Sequence, residues 1–254
     1  MPDLTLLIII ILFVGGFLSG FVDSIAGGGG IISVPVLLSV GLPPHFALGT
    51  NKLQSSFGSL IAALNYTRGG LVKLKDLGLG VLFTAIGAAV GTLTIQLLSP
   101  DLLKTIIPFM LLAVFIFMLF SKDLGSVDQH PKMKENLFFL IFGLLLGFYD
   151  GFFGPGTGSF WILAFVLLLG YNMKKATAST KWLNFTSNII ALIFFAIGGK
   201  VLVVPGLIMA VGQFSGAFLG SKLVLRSGVK FVRIFFLLLS DGTIPTLIYT
   251  TLYP

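Results

Sequence analysis

Long apolar runs are the feature that most constrains this chain. Leu, Ile, Val and Phe fill one stretch of about 20 residues after another, and a helix of that length crosses the hydrocarbon core of a bilayer. Only 10% of the 254 residues are charged, whereas soluble domains carry about 25%. The alternating pattern of a membrane β-barrel is absent. The sequence therefore predicts an all-α polytopic membrane protein.

Glycine, proline and charged residues divide the apolar sequence into ten predicted segments. The second and seventh hold about 14 residues each, too few for a straight helix to cross the membrane core comfortably. Each of them is either a short helix or half of a re-entrant hairpin with the segment before it, and the sequence leaves both possibilities open. The segments cover residues 4–22, 29–42, 46–65, 77–98, 102–121, 136–152, 157–170, 177–198, 202–221 and 231–252.

The two halves of the chain match each other. One alignment pairs Asp23 with Asp150 and, after a two-residue shift, Lys52 with Lys181. Glycines follow the same alignment: Gly20 with Gly147, Gly27 with Gly154, Gly41 with Gly170, Gly87 with Gly216 and Gly91 with Gly220. Charged residues and glycines that recur together indicate an internal repeat. We predict membrane repeat 1 over residues 1–121, a connector over 122–135 and membrane repeat 2 over 136–254.

The basic residues are distributed unevenly between the two predicted sides of the membrane. When the segments alternate in direction, thirteen of the 16 lysines and arginines fall on the connector side and three on the other. The positive-inside rule then predicts a cytoplasmic connector and both termini outside. Five segments per repeat is an odd number, so the repeats would enter the membrane from opposite faces. Such inverted-topology repeats are common among secondary transporters.

A glycine-rich break follows the first segment of each repeat. The sequences are GFVDSIAGGGG, residues 20–30, and GFYDGFFGPGTG, residues 147–158. Non-helical backbone at membrane depth is tolerated only where protein buries it or water reaches it. The short helix after each break would present unpaired N–H groups and a partial positive charge. We hypothesise an anion site at these breaks, with tight turns or close helix packing as the alternative; its candidates are Gly28, Gly29, Gly156 and Thr157.

Two lysines lie inside predicted membrane segments. Lys52 and Lys181 should each lie one to two helical turns from the start of the segment, and a charge there costs several kcal/mol unless it is paired or hydrated. The expected partners are Asp23 and Asp150, or a bound anion. The aspartates are also the candidates for proton or ion coupling. A purely structural Lys–Asp pair and snorkelling to the membrane surface are the alternatives.

Polar neighbours of these lysines suggest a lined cavity. Asn51 precedes Lys52, while Asn184 and Asn188 share one helical face with Lys181. We take the three asparagines as candidate substrate-binding residues. Asparagine also serves as a plain hydrogen-bond link between membrane helices, which is the alternative interpretation.

Sequence features that would indicate an enzyme are missing. The chain has no cysteine, which excludes disulfides and thiol chemistry, and we find no catalytic-triad order, HExxH or Walker motif. We therefore expect no enzyme activity, cofactor or metal site. The net charge of +7 is attributed to loops facing anionic lipid, not to nucleic acid. The expected partners are a small anionic substrate, the lipid bilayer and protons, and an oligomer is left open.

Both repeats carry the pattern of a known family. The motifs are GFVDSIAGGGGIISVPVLLSVGLPPHFALGTNKLQSS and GFYDGFFGPGTGSFWILAFVLLLGYNMKKATASTKWLNFTSNI. Over nearly the whole chain, the sequence resembles the TauE/SafE family of sulfite-exporter-like membrane permeases, and within it the bacterial YfcA-like branch. The resemblance implies transport of small anions, chiefly sulfur oxyanions and organosulfonates such as sulfite, usually outward, through a bacterial inner membrane.

Other functions remain open at this point. One is a carrier of another small organic anion coupled to H⁺ or Na⁺, and a less favoured one is a scaffold that transports nothing. Repeat 2 also departs from repeat 1. It has Gly-Pro-Gly-Thr-Gly in place of four glycines, and Thr180 in place of Asn51 before the lysine. The two half-sites therefore need not bind the same chemical group.

Overall fold

The computed structural model describes residues 4–120 and 127–227, and this part of the chain is helical. A short 3₁₀ turn, Leu74–Leu77, precedes α4. The α-helices are α1 (Leu6–Ala26), α2 (Gly30–Ser39), α3 (Pro44–Arg68), α4 (Gly78–Gln96), α5 (Pro100–Phe120), α6 (Glu135–Phe152), α7 (Thr157–Leu169), α8 (Met173–Ile197) and α9 (Val203–Arg226). They correspond to the first nine predicted segments. The tenth, 231–252, lies outside the described residues.

Helix length separates membrane-spanning candidates from short helices. Within the described residues, five stretches are long and apolar enough to cross a membrane: α1, residues 74–96, α6, α8 and α9. Helix α2 has 10 residues and α7 has 13. At 1.5 Å per residue they reach about 15 and about 20 Å, well short of a ~30 Å core. The second and seventh segments therefore form short helices.

Several helix ends differ from the predicted bounds, and the largest difference is at α9, which continues to Arg226 past the predicted end at residue 221. Helix α1 continues to Ala26, past the predicted end at residue 22, until Gly27 adopts a left-handed conformation and ends it. Helix α3 begins at Pro44, where proline suits a first turn. Helix α8 begins after Asn172, whose side chain caps it. As a result the two buried lysines lie about 12 Å along their helices, deeper than the predicted one to two turns.

The helices of the two halves interleave. The first helix of each half packs along the fourth helix of the other: α1 along α9, and α6 along α4. Glycines allow this close approach, because a Cβ atom would collide with a backbone carbonyl of the facing helix. The collisions recur at aligned glycines. A methyl group at Gly20 would meet Gln213, and one at the aligned Gly147 would meet Thr84. In the same way, Gly216 faces Phe17, and the aligned Gly87 faces Leu144.

Helices α3 and α8 lie at the centre of the described structure. They pack against each other, α3 also against α9, and α8 also against α4 and the short α7. Most residues of both helices are buried, including Lys52 and Lys181. One apolar cluster surrounds Trp161 and Phe165, and another contains Leu103 and Phe153. This arrangement places two polar helices in the interior of an otherwise apolar protein.

We expect the glycines of the α4–α6 contact to be essential for stability. In Gly91→Ala the new methyl group would meet the carbonyl oxygen of Phe148, and overpacking of this kind costs about 1–3 kcal/mol. Gly78→Ala in the same helix is the control, because a methyl group there meets open space. Thermal unfolding of the purified protein in detergent should show a lower Tm for Gly91→Ala alone. Equal Tm values would contradict the packing argument.

Candidate functional site

Each glycine-rich break joins a long helix to a short one. In the first half, α1 ends at Gly27 (φ 81°) and α2 begins at Gly30. In the second half, α6 ends at Phe152 and α7 begins after Gly156 (φ 82°). Left-handed backbone is open to glycine at little steric cost. The breaks therefore reverse the chain within a few residues and leave the N-termini of α2 and α7 at the turning points.

The two breaks touch each other in the interior. A Cβ atom at Gly27 would collide with the backbone of Gly158, and one at Gly30 would approach Pro155 closely. The hydroxyl of Ser159 donates to the carbonyl oxygen of Ala26 at 2.8 Å and ties the two breaks together. The ends of all four helices, two long and two short, consequently meet at one point.

Both buried lysines form ion pairs with aspartates at this meeting point, and both pairs join the two halves. Lys52 Nζ lies 2.6 Å from Asp150 Oδ1, and Lys181 Nζ lies 3.0 Å from Asp23 Oδ2. Each ammonium group also donates to the backbone carbonyl of the same aspartate. These carbonyls belong to the last turns of α1 and α6, where a positive charge is favourable. Each half therefore supplies a lysine that binds the C-terminal end of the first helix of the other half.

The pairs are deeply buried. Lys52 is 1% exposed and Lys181 0%, so neither side chain reaches the surface in the manner of a snorkelling lysine. Removing a charge from water costs several kcal/mol, and an ion pair offsets this only with good geometry and further hydrogen bonds. Two ammonium groups and two carboxylates balance here, and the partial positive charge at the N-termini of α2 and α7 is offset by the partial negative charge at the C-termini of α1 and α6.

A small polar cavity lies between the two breaks. Its volume is about 20 Å³, which suffices for a single water molecule. Both halves contribute to its wall, and the lining is mostly glycine backbone, carboxylate, amide and hydroxyl groups. The lining residues are Asp23, Gly27, Gly30, Asn51, Ser55, Asp150, Gly154, Thr157, Gly158, Asn184 and Asn188.

The structure brings most of the predicted site residues to this cavity. Six of them line it: Asp23, Asn51, Asp150, Thr157, Asn184 and Asn188. Lys52 and Lys181 do not line it, but bind the aspartates that do. The predicted glycines lie beside the wall: Gly28 is buried next to it, Gly29 is the N-cap of α2, and Gly156 packs against Val114.

Several site residues were not among the sequence-predicted candidates. The cavity wall includes Gly27, Gly30, Gly154 and Gly158, whereas the predicted Gly28, Gly29 and Gly156 do not line it. Gly27 and Gly154 are paired by the repeat alignment, and that pairing could have identified them. Ser187 donates to Asp150 Oδ2, a contact between α8 and α6 that only the fold reveals.

The chain is similar to known proteins over most of its length. A family model described as "Sulfite exporter TauE/SafE" matches residues 12–240. A probable membrane transporter protein ORF9 from Sinorhizobium is 47% identical, covering 92% of this chain and 89% of the relative. A probable membrane transporter protein from Haemophilus influenzae is 45% identical (91% and 91%). The probable membrane transporter protein YfcA from Escherichia coli K12 is 44% identical (94% and 89%). No solved structure gives a significant match.

Breaking the Lys52–Asp150 pair should destabilise the protein strongly. Lys52→Met leaves a buried carboxylate without its counter-ion, which costs about 3–5 kcal/mol. The double variant Lys52→Met/Asp150→Asn removes that charge and should recover part of the loss. Lys104→Met is the control, because its pair with Asp101 is largely exposed and contributes about 1 kcal/mol or less. Denaturation in mixed micelles measures all three variants, and additive losses in the double variant would contradict the pairing.

Proposed function

The chain belongs to the sulfite exporter TauE/SafE family of multi-pass membrane proteins, and on that premise we propose that it is a secondary transporter of small anions in a bacterial inner membrane. Its proposed substrates are sulfur oxyanions and organosulfonates such as sulfite, and its proposed direction is export. The observation that carries the proposal is the polar cavity bounded by two crossed Lys–Asp pairs and the N-termini of two short helices.

The chemistry of this cavity favours an oxyanion. The N-termini of α2 and α7 each contribute roughly half a positive elementary charge and backbone N–H groups. The side chains of Asn51, Asn184, Asn188 and Thr157 add hydrogen-bonding groups at the wall. The C-terminal ends of α1 and α6 carry a similar partial negative charge, but their last-turn carbonyl groups already accept hydrogen bonds from the lysines, so the N–H groups of α2 and α7 are the backbone groups left to bind an anion. A small anion with several acceptor oxygens matches such donors without a further protein cation.

The aspartates supply a route to proton coupling. An anion that binds a lysine ammonium group competes with the carboxylate already there. The displaced carboxylate of Asp23 or Asp150 would then lie buried without a counter-ion, which is costly. Uptake of a proton restores the charge balance. In this scheme anion binding and proton binding favour each other, which is the requirement for coupled transport.

Passage of an anion requires the cavity to open. A volume of about 20 Å³ admits a water molecule, whereas sulfite has four heavy atoms. We propose that the two halves rock against each other and expose the site first to one side and then to the other, as inverted-repeat transporters do. The recurrence of the same glycine contacts at α1–α9 and at α4–α6 supports two related halves.

Flux measurements test the transport proposal. Proteoliposomes containing the wild type should take up radiolabelled sulfite in a saturable manner, and a pH gradient should change the rate. Lys181→Met should lose at least about 90% of the flux, because the loss of a buried cation removes over ~1.4 kcal/mol of anion stabilisation. Lys104→Met should transport like the wild type. Undiminished flux in folded Lys181→Met would move the site away from this lysine.

Residue accessibility tests the proposed topology. The chain has no cysteine, so a single introduced cysteine reports its own side of the membrane. Ser99→Cys, between α4 and α5, should react with an impermeant maleimide added to intact cells. Lys132→Cys, in the connector, should react only after the membrane is opened. The reverse pattern would overturn the orientation, and reaction of both in intact cells would contradict the predicted crossing of α5.

A further inference from the structure

The two ion pairs are not equivalent in their surroundings. The carboxylate of Asp150 has two donors, Lys52 on Oδ1 at 2.6 Å and the Ser187 hydroxyl on Oδ2. The carboxylate of Asp23 receives one hydrogen bond from the described residues, from Lys181 at 3.0 Å. The Asp23 side chain is 15% exposed, whereas that of Asp150 is 4% exposed. Both carboxylate oxygens of Asp150 thus accept a hydrogen bond, which makes the Lys52–Asp150 pair closed. Only one carboxylate oxygen of Asp23 does so among the described residues, which leaves the Lys181–Asp23 pair open.

A single residue difference between the repeats accounts for this asymmetry. Ser187 lies six residues after Lys181, and the residue six positions after Lys52 is Gly58. Glycine cannot supply the hydroxyl group. The space that a side chain of Gly58 would occupy is filled by the side chain of Gln213. At these aligned positions, Asp150 therefore has a second hydrogen-bond donor and Asp23 does not.

Among the described residues, buried oxygen atoms without a partner occur beside both lysines, and Gln54 Oε1 is the one near Lys52. Next to Lys52, the oxygen Asn51 Oδ1 already accepts hydrogen bonds from Ser33 and Gln54. Next to Lys181, the oxygens of Thr180 and Asn184 are buried without a partner in the part of the chain that the structure describes. Native proteins satisfy most buried polar atoms, so an unpaired group calls for an explanation. Of these residues only Asn184 lines the cavity, where its amide nitrogen can donate a hydrogen bond to a ligand.

We infer that the Lys181–Asp23 pair is the exchangeable half of the site and that the Lys52–Asp150–Ser187 cluster is a fixed anchor. An oxyanion replaces the Asp23 carboxylate on the ammonium group of Lys181 and accepts hydrogen bonds from the amide nitrogen of Asn184 and the hydroxyl group of Thr180. Asp23 thus acts as an internal competitor of the substrate. The inference rests on the proposed function, because it assigns roles within the same anion site.

Matched aspartate variants test this assignment. Asp23→Asn, Asp150→Asn and the surface control Asp101→Asn are purified into nanodiscs, and binding of radiolabelled sulfite is measured together with Tm in the absence of sulfite. If the open form of the exchangeable pair is about 10% populated, removing the competitor lowers the apparent Kd about tenfold in Asp23→Asn. Asp150→Asn should not tighten binding and should have the lowest Tm. The control should match the wild type in both measurements.

Each outcome decides the assignment. Tighter sulfite binding in Asp150→Asn than in Asp23→Asn overturns the assignment. A Tm for Asp23→Asn as low as that for Asp150→Asn also overturns it. So does a result in which Asp23→Asn is the only variant that fails to fold. If the wild type and all variants bind no sulfite, the proposed substrate is wrong. The Tm order then decides separately: a selective loss in Asp150→Asn supports the fixed anchor, and equal losses overturn it.

Discussion

The cost of burying charge organises this protein. Lys52 and Lys181 lie about 12 Å inside their helices and are almost fully shielded from solvent. Neither could remain there without an anionic partner, and each finds it on the first helix of the other half. The two halves are therefore held together at the point where the chemistry is concentrated. A change at this point also changes the contact between the halves.

Glycine makes this arrangement geometrically possible. Short ion pairs between the halves require the breaks after α1 and α6 to approach within contact distance, and side chains at Gly27 or Gly158 would keep them apart. The glycines along α1–α9 and α4–α6 serve the same purpose over the length of the helices. A chain that was apolar but poor in glycine would form helices of similar length and would hold the four helix ends apart.

Much of this fold could be predicted from the sequence, because the features that mark helices and their ends are local. Apolar length and glycine punctuation located nine helices among the described residues, and α7 ends at Leu169 because Gly170 adopts a left-handed conformation. The predicted end of α1 was wrong, because the charge of Asp23 was taken as the end of the apolar segment. In the structure Lys181 on α8 neutralises that charge, and the helix continues past it. Asp23 and Asp150 were expected as partners of the lysines. The crossing of the pairs and the role of Ser187 depend on long-range packing, which no local pattern encodes.

The predicted duplication, with divergence between the two halves, suits the mechanical requirement of the proposed carrier. If both ion pairs opened to admit an anion, the halves would lose their two strongest polar links at the same moment. If both stayed closed, the lysines would never be available. Ser187 has a hydroxyl group that holds Asp150, and Gly58 at the aligned position has none. This difference allows one pair to stay closed while the other opens. In the proposed scheme one pair keeps the halves in register while the other exchanges its carboxylate for the substrate.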